Sequence, residues 1–321
     1  MLSIRVLSAG AKPGALRVPR PSPPTDNSMA QVKLIAAGLH QVVRKRASGE
    51  HYSVTGDANT PGIDGVGVNL STGKLVYFVT PVAGAGSFAE YVNVQTKHMW
   101  EMRDDADPVQ AAALMNPLMS SWLALKKRVD FLREGRQEGW SCLIMGATTM
   151  SGKLAIKVAR HFGAAKVIGA GRDETSLKSL GLDSYVVLND PAETTDFTAA
   201  GDVDVVLDYL YGPYVSAFLL GTKGQKQLTW VSIGGLAGVE AEIPSQELRR
   251  RDLTIRGSGI GSWNPREAFG EVPHMLKSLE DIHMDHVKPY LMEDVERAWE
   301  APDGRVVFVT NEYSSLITKK E

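Results

Sequence analysis

The sequence predicts an α/β protein whose second half is a doubly wound parallel sheet, and three observations carry that expectation. Six short β-branched runs alternate with helical segments: Ser141 to Gly146, Lys166 to Ala170, Tyr185 to Leu188, Val203 to Leu207, Leu228 to Ile233 and Leu253 to Arg256. Parallel neighbours need such crossover connections. The first run ends in the glycine-punctuated turn G-A-T-T-M-S-G, Gly146 to Gly152. The segment after it repeats apolar residues at helical spacing, through Leu154, Ala155, Val158, Ala159 and Phe162.

From the N-terminus, V-P-R-P-S-P-P-T-D over Val18 to Asp26 reads as an extended connector, because proline fixes φ and lacks an N–H. Gln31 to Leu39, Val76 to Val79 and Phe88 to Val94 read as strands, with P-G-I-D-G-V-G at Pro61 to Gly67 supplying a turn. Asp107-Pro108 is an N-cap followed by proline at the first helical position. It opens a helix over Val109 to Met115 and a second helical run ending near Arg133.

The 321 residues, 43% apolar and 22% charged, suffice for two domains with separate cores. With 35 basic against 37 acidic residues there is no broad electrostatic footprint for nucleic acid or anionic lipid, and a small-molecule partner is expected. Cys142 is the only cysteine, which removes intrachain disulfides and multi-cysteine zinc sites and fits a reducing compartment. No apolar run reaches the roughly 18 residues of a membrane span. The first residues lack a signal-peptide pattern, so the cytoplasm is the expected location.

The turn Gly146 to Gly152 is placed where a strand hands over to a helix, so backbone amides at the positive helix end can receive a pyrophosphate. Gly146, Thr148, Thr149, Met150, Ser151 and Gly152 are the candidate residues there. Thr149 departs from the glycine usual at the middle position; its hydroxyl is a candidate phosphate ligand. About 20 residues on, the second strand ends in V-I-G-A-G-R-D, where an acid would hold a free ribose 2′-hydroxyl and an arginine a 2′-phosphate. Arg172 stands there and favours NADPH over NADH. Asp173 competes, and Arg172 as a plain solvated loop residue is the alternative.

Taken together, N-P-L-M-S-S-W-L-A-L, L-I-M-G-A-T-T-M-S-G-K-L-A-I-K-V-A-R-H-F-G-A, V-V-L-D-Y-L-Y-G and V-S-I-G-G-L-A-G resemble the medium-chain dehydrogenase/reductase superfamily, in its zinc-free quinone oxidoreductase-like branch. A-A-G-L-H-Q-V-V-R-K-R-A-S-G, G-S-F-A-E-Y-V, V-E-R-A-W-E and G-R-V-V-F-V extend the likeness to both chain ends. The resemblance implies a Rossmann NADPH-binding domain over 122–257, inserted in a GroES-like, partly open β-barrel catalytic domain made of 1–121 and 258–321. It also implies substrate in the interdomain cleft, a homodimer formed through D-L-T-I-R-G-S-G, and a nicotinamide bordered by Asp208, Tyr209, Ile233, Gly234, Gly235 and Ser258.

Zinc-dependent relatives use a cysteine, a histidine and a third cysteine or acid; the matching positions here carry His40, Ile63 and Asn116, which do not rebuild that set. No metal is expected, and His283 and His286 read as surface histidines. Hydride transfer to an enone or a quinone suits a metal-free site, because hydrogen-bond donors can take up charge on the acceptor oxygen. His40, Tyr52 and Ser120 are the candidate donors, against bland readings as a loop hydrogen-bonding group, a rim aromatic and a helix-turn hydroxyl. An enoyl or imine reductase and a non-catalytic dinucleotide-binding protein remain alternatives. A short-chain dehydrogenase does not, since none of the nine tyrosines has lysine four residues later.

Overall fold

The computed structural model describes residues 1–8, 10–49, 60–80, 86–135, 138–301, 304–311 and 313. They fall into two compact units, Met1–Asn116 with Glu271–Glu321, and Pro117–Gly270. The first begins with a hairpin of β1 (Leu2–Arg5) and β2 (Gly14–Arg17), which has no counterpart among the expected strands. Then follow β3 (Met29–Gly38), α1 (Gln41–Ser48), β4 (Asp64–Asn69), β5 (Leu75–Val79), β6 (Tyr91–Gln95) and β7 (Met99–Glu101). The expected strand at Phe88 is thus shorter and later than its apolar run.

α2 (Pro108–Arg128) starts where Asp107 accepts from the amides of Val109, 2.8 Å, and Gln110, 3.1 Å. It corrects the expectation of two helical runs, for it continues through Pro117 and gives way at Val129 to α3 (Asp130–Arg133).

The second unit holds β8 (Trp140–Met145), α4 (Met150–His161), β9 (Ala164–Gly171), α5 (Glu174–Lys178), β10 (Ser184–Val187), β11 (Val205–Asp208) and α6 (Pro213–Gly221). β12 (Leu228–Ser232), α7 (Ser245–Arg250), β13 (Leu253–Gly257) and α8 (Pro265–Gly270) complete it. Its six strands are all parallel in the order β10-β9-β8-β11-β12-β13, so the order reverses between β8 and β11, where open α/β sheets take their ligands. All six residues of β8 are buried, and the predicted face of α4 is inside except for Phe162, which caps the helix half-buried. Phe197, Phe218 and Trp230 meet edge-to-face at 5.4 Å to fill the core beneath β12.

The chain returns to the first unit with α9 (Val272–Ser278), β14 (Val287–Leu291), α10 (Val295–Trp299) and β15 (Arg305–Val309). A seven-stranded sheet runs β14-β15-β3-β4-β5-β7, with β6 also on β3. A register shift between Leu34 and Ala36 lets the long β3 bend and pair with β4, β6 and β15 in turn. Phe78, Phe88 and Phe308 sit in its core. Among the described residues, no helix is long and apolar enough to cross a membrane.

Candidate functional site

The turn from β8 into α4 is built by its glycines. Gly146 has φ +90°, and a Cβ on Gly152 would lie 2.2 Å from the Gly146 carbonyl oxygen and 2.7 Å from Ala147 Cα. No side chain fits there, because the obstacle is backbone. Thr149 is the N-cap: its hydroxyl donates to the Gly146 carbonyl, 2.8 Å, and accepts from the Gly152 amide, 3.1 Å. The departure from glycine thus serves capping, and its only proton is engaged. Among the described residues, the amides of Thr148, Met150 and Ser151 find no acceptor, which leaves three donors at the positive end of a 12-residue helix.

β9 ends one residue before Arg172, which is exposed and makes no ion pair or hydrogen bond among the described residues. Asp173 is the N-cap of α5, taking the Ser176 amide at 3.2 Å and the Ser176 hydroxyl at 2.6 Å. Those bonds hold its carboxyl below the usual range. Of the two competitors, the acid is engaged locally and the arginine is available. Thr148 borders the same strand end, 3.0 Å from where a Cβ on Gly171 would be.

At the end of β11, Asp208 is fully buried and spent within the fold. One carboxylate oxygen accepts from the amides of Leu210, 2.8 Å, and Tyr211, 2.9 Å; the other accepts from the Trp230 indole, 3.0 Å. Burial pushes this carboxyl up. Asp208 shapes the turn rather than presenting a free carboxylate. Its carbonyl receives the amides of Ile233 and Gly234 at 2.7 and 3.1 Å, tying the loop after β12 to the loop after β11. Ile233 and Gly234 are half-buried and Gly235 is exposed. The buried Tyr209 hydroxyl, pushed up to about 12 by desolvation, lies 3.4 Å from the Ser120 hydroxyl, which donates to the Pro117 carbonyl at 2.7 Å. Ser120 is therefore a helix-turn hydroxyl paired with Tyr209. Ser258 is buried and accepts from the Trp263 indole at 3.0 Å.

In the first unit His40 is 1% exposed and closed into a network. Its Nε2 meets Asp64 Oδ1 at 2.7 Å, and its Nδ1 receives the Arg305 guanidinium. Arginine only donates, so Nδ1 is the acceptor and Nε2 carries the proton towards Asp64. The Tyr77 hydroxyl meets the other Asp64 oxygen at 2.8 Å. Arg305 Nε reaches the carbonyl of Ala113 at 2.9 Å, the helical acceptor that Pro117, lacking an N–H, leaves without its usual donor. That replacement explains why α2 runs unbroken through its proline. With both nitrogens engaged, His40 has no ring N–H left over in this arrangement. Its removal would strand a buried carboxyl and a buried guanidinium, at a cost of about 3 kcal/mol or more.

Burial pushes the Asp64 carboxyl up to about 8, against the Tyr77 hydroxyl that pulls it down. The native state then holds this proton to higher pH than the unfolded chain. The associated stability is complete below the unfolded value of about 4 and is lost as pH rises through about 8. Asp64→Asn, isosteric and uncharged, is expected to lose less thermal midpoint than the parent between about pH 6 and pH 9. Parallel pH profiles for the two proteins would contradict that assignment.

These residues do not fit a zinc ion. His40 has no free lone pair, Ile63 is an apolar core residue, and Asn116 is a poor third ligand. Among the described residues, no group of three or more histidines, cysteines and acids is placed to hold a metal. Tyr52, the remaining donor candidate, lies outside the described residues.

Comparison with known proteins gives consistent relatives. Residues 152–280 match the family model of zinc-binding dehydrogenases. The chain is 33% identical to the probable NADPH-dependent quinone reductase tdiC of Emericella nidulans, over 91% of this chain and 95% of that protein. Quinone oxidoreductase from Thermus thermophilus superposes with a TM-score of 0.76 at 23% identity, covering 96% of this chain and 100% of the other. An alcohol dehydrogenase superfamily protein from Novosphingobium aromaticivorans gives a TM-score of 0.76 at 19% identity over 97% of this chain and 100% of that one. At such identities the two structures speak for the fold.

Proposed function

The chain belongs to the medium-chain dehydrogenase/reductase superfamily, in its quinone oxidoreductase-like branch, and from that membership we infer an NADPH-dependent oxidoreductase that passes hydride to a quinone or an enone without zinc. The fold is the GroES-like unit with a Rossmann unit inserted in the chain. The observation that carries the cofactor reading is the β8–α4 turn with three amides that find no acceptor among the described residues, set beside β9, which is followed directly by an Arg172 that makes no ion pair or hydrogen bond among those residues.

NADPH, when bound, supplies the hydride, and the chain's own residues do the rest. The amides of Thr148, Met150 and Ser151 hold the pyrophosphate at the positive end of α4, and Gly146 and Gly152 let backbone and phosphate approach. Arg172 takes the 2′-phosphate through its guanidinium fork. Asp208 fixes the loops that carry Tyr209, Ile233, Gly234 and Gly235, which with Ser258 border the nicotinamide end. A hydroxyl donor beside the acceptor would take up the negative charge that reduction places on its oxygen, in place of a metal. With His40 and Ser120 engaged internally, Tyr52 is the residue we assign to that donation.

The test is acceptor-dependent NADPH oxidation across quinones and enones. Turnover with at least one acceptor class is expected, and Tyr52→Phe should lower it about tenfold or more while sparing NADPH affinity. NADPH binding without turnover on any acceptor would favour a non-catalytic dinucleotide-binding protein instead.

A further inference from the structure

We propose that the second unit carries a separate oxyanion site, suited to a phosphate or phosphomonoester dianion, in the cavity between the end of α2, α3, β13 and α8. The cavity measures about 290 Å³ and is lined by Lys127, Arg128, Arg133 and Arg256, with Glu267 the only carboxylate on its wall among the described residues and the Trp263 ring as an apolar side. It shares no residue with the turn Gly146 to Gly152 or with Arg172.

The three arginines are held in place before any ligand arrives. Arg256 binds Asp130 with two bonds of 2.8 Å and also donates to the Arg128 carbonyl, 3.2 Å. Arg133 meets the same carboxylate at 3.1 Å. One aspartate thus serves two guanidinium groups and leaves net positive charge beside the cavity. Arg128 donates one terminal nitrogen to the Ser262 carbonyl, which anchors its planar head. Its Nε is buried without a partner, one of only two such side-chain polar atoms among the described residues. Fixed guanidinium forks suit the oxygens of a phosphate better than a single-point cation does. The volume also leaves room for a small organic group against Trp263.

The test uses the full chain and inorganic phosphate as probe, titrated calorimetrically with chloride keeping ionic strength constant, and then glycerol 3-phosphate as the ester. Arg133→Glu, at an exposed position, is expected to weaken phosphate about tenfold or more; Arg128→Gln, which keeps a donor but not the charge, should weaken it about threefold or more. Both variants should bind NADPH as the parent does. Arg172→Glu should bind inorganic phosphate unchanged. Tighter binding of the ester than of phosphate places the organic group in the cavity, whereas equal binding restricts the site to the free ion; both outcomes support an oxyanion site here. The proposal is overturned if the parent shows no phosphate heat beyond the chloride control, if both cavity variants bind like the parent, or if Arg172→Glu alone removes the binding.

Discussion

Arg172→Glu is expected to weaken NADPH about 100-fold or more while changing NADH affinity by less than about threefold. Each charge-assisted hydrogen bond to the 2′-phosphate contributes about 1.5–3 kcal/mol, and the arginine fork offers two. A glutamate at the same place adds repulsion. The selectivity is expected because Asp173, the other residue at the strand end, already holds Ser176 and offers the ribose little. Dissociation constants by fluorescence titration of both reduced cofactors measure the effect. Equal losses for the two would mean that Arg172 acts on the protein's general charge and not on a 2′-phosphate.

Gly152→Ala acts on the other end of the cofactor. Its Cβ would sit 2.2 Å from the Gly146 carbonyl oxygen, so the turn must open to admit it. Overpacking against backbone costs about 1–3 kcal/mol in stability. Opening also spreads the three amides that we assign to the pyrophosphate. A loss of about tenfold or more in affinity is expected for both NADPH and NADH, since the pyrophosphate is common to them. Here the two cofactors should fall together, in contrast to Arg172→Glu. Unchanged affinity in a folded Gly152→Ala protein would remove the turn from the cofactor site.

The centre of the parallel sheet was readable because its strands are buried on both faces and so appear as uninterrupted apolar runs, as in Cys142 to Met145 and Val205 to Leu207. The turn was readable because glycine is the only residue its backbone contacts allow. Three features were not. The β1–β2 hairpin consists of four-residue strands with too few alternations to register as a pattern. Asp208 closes its strand at a place equally suited to a cofactor ligand and to a turn organiser. Only the position of the Trp230 indole, 22 residues away in sequence, decides between them. His40 likewise finds Asp64 24 residues on and Arg305 265 residues on. No local pattern joins those residues, so a histidine that reads as a free donor is instead the middle of a buried network. The same network explains the unbroken α2, because the donor that makes up for Pro117 comes from β15 near the other end of the chain.

Thr149 strengthens the cofactor turn that its departure from glycine suggests it would weaken. The hydroxyl caps α4 and holds Gly146 and Gly152 in place. Such a cap contributes about 1 kcal/mol to the helix end. The side chain therefore rigidifies the turn, while the neighbouring amides stay without an acceptor among the described residues.

Metal-free hydride transfer is tested most directly by NADPH oxidation with a quinone and an enone, using protein dialysed against a strong chelator and assayed for zinc in the same preparation. Undiminished turnover in zinc-depleted protein, with NADPH strongly preferred to NADH, is the expected result. Turnover that disappears on chelation and returns with added zinc would contradict it.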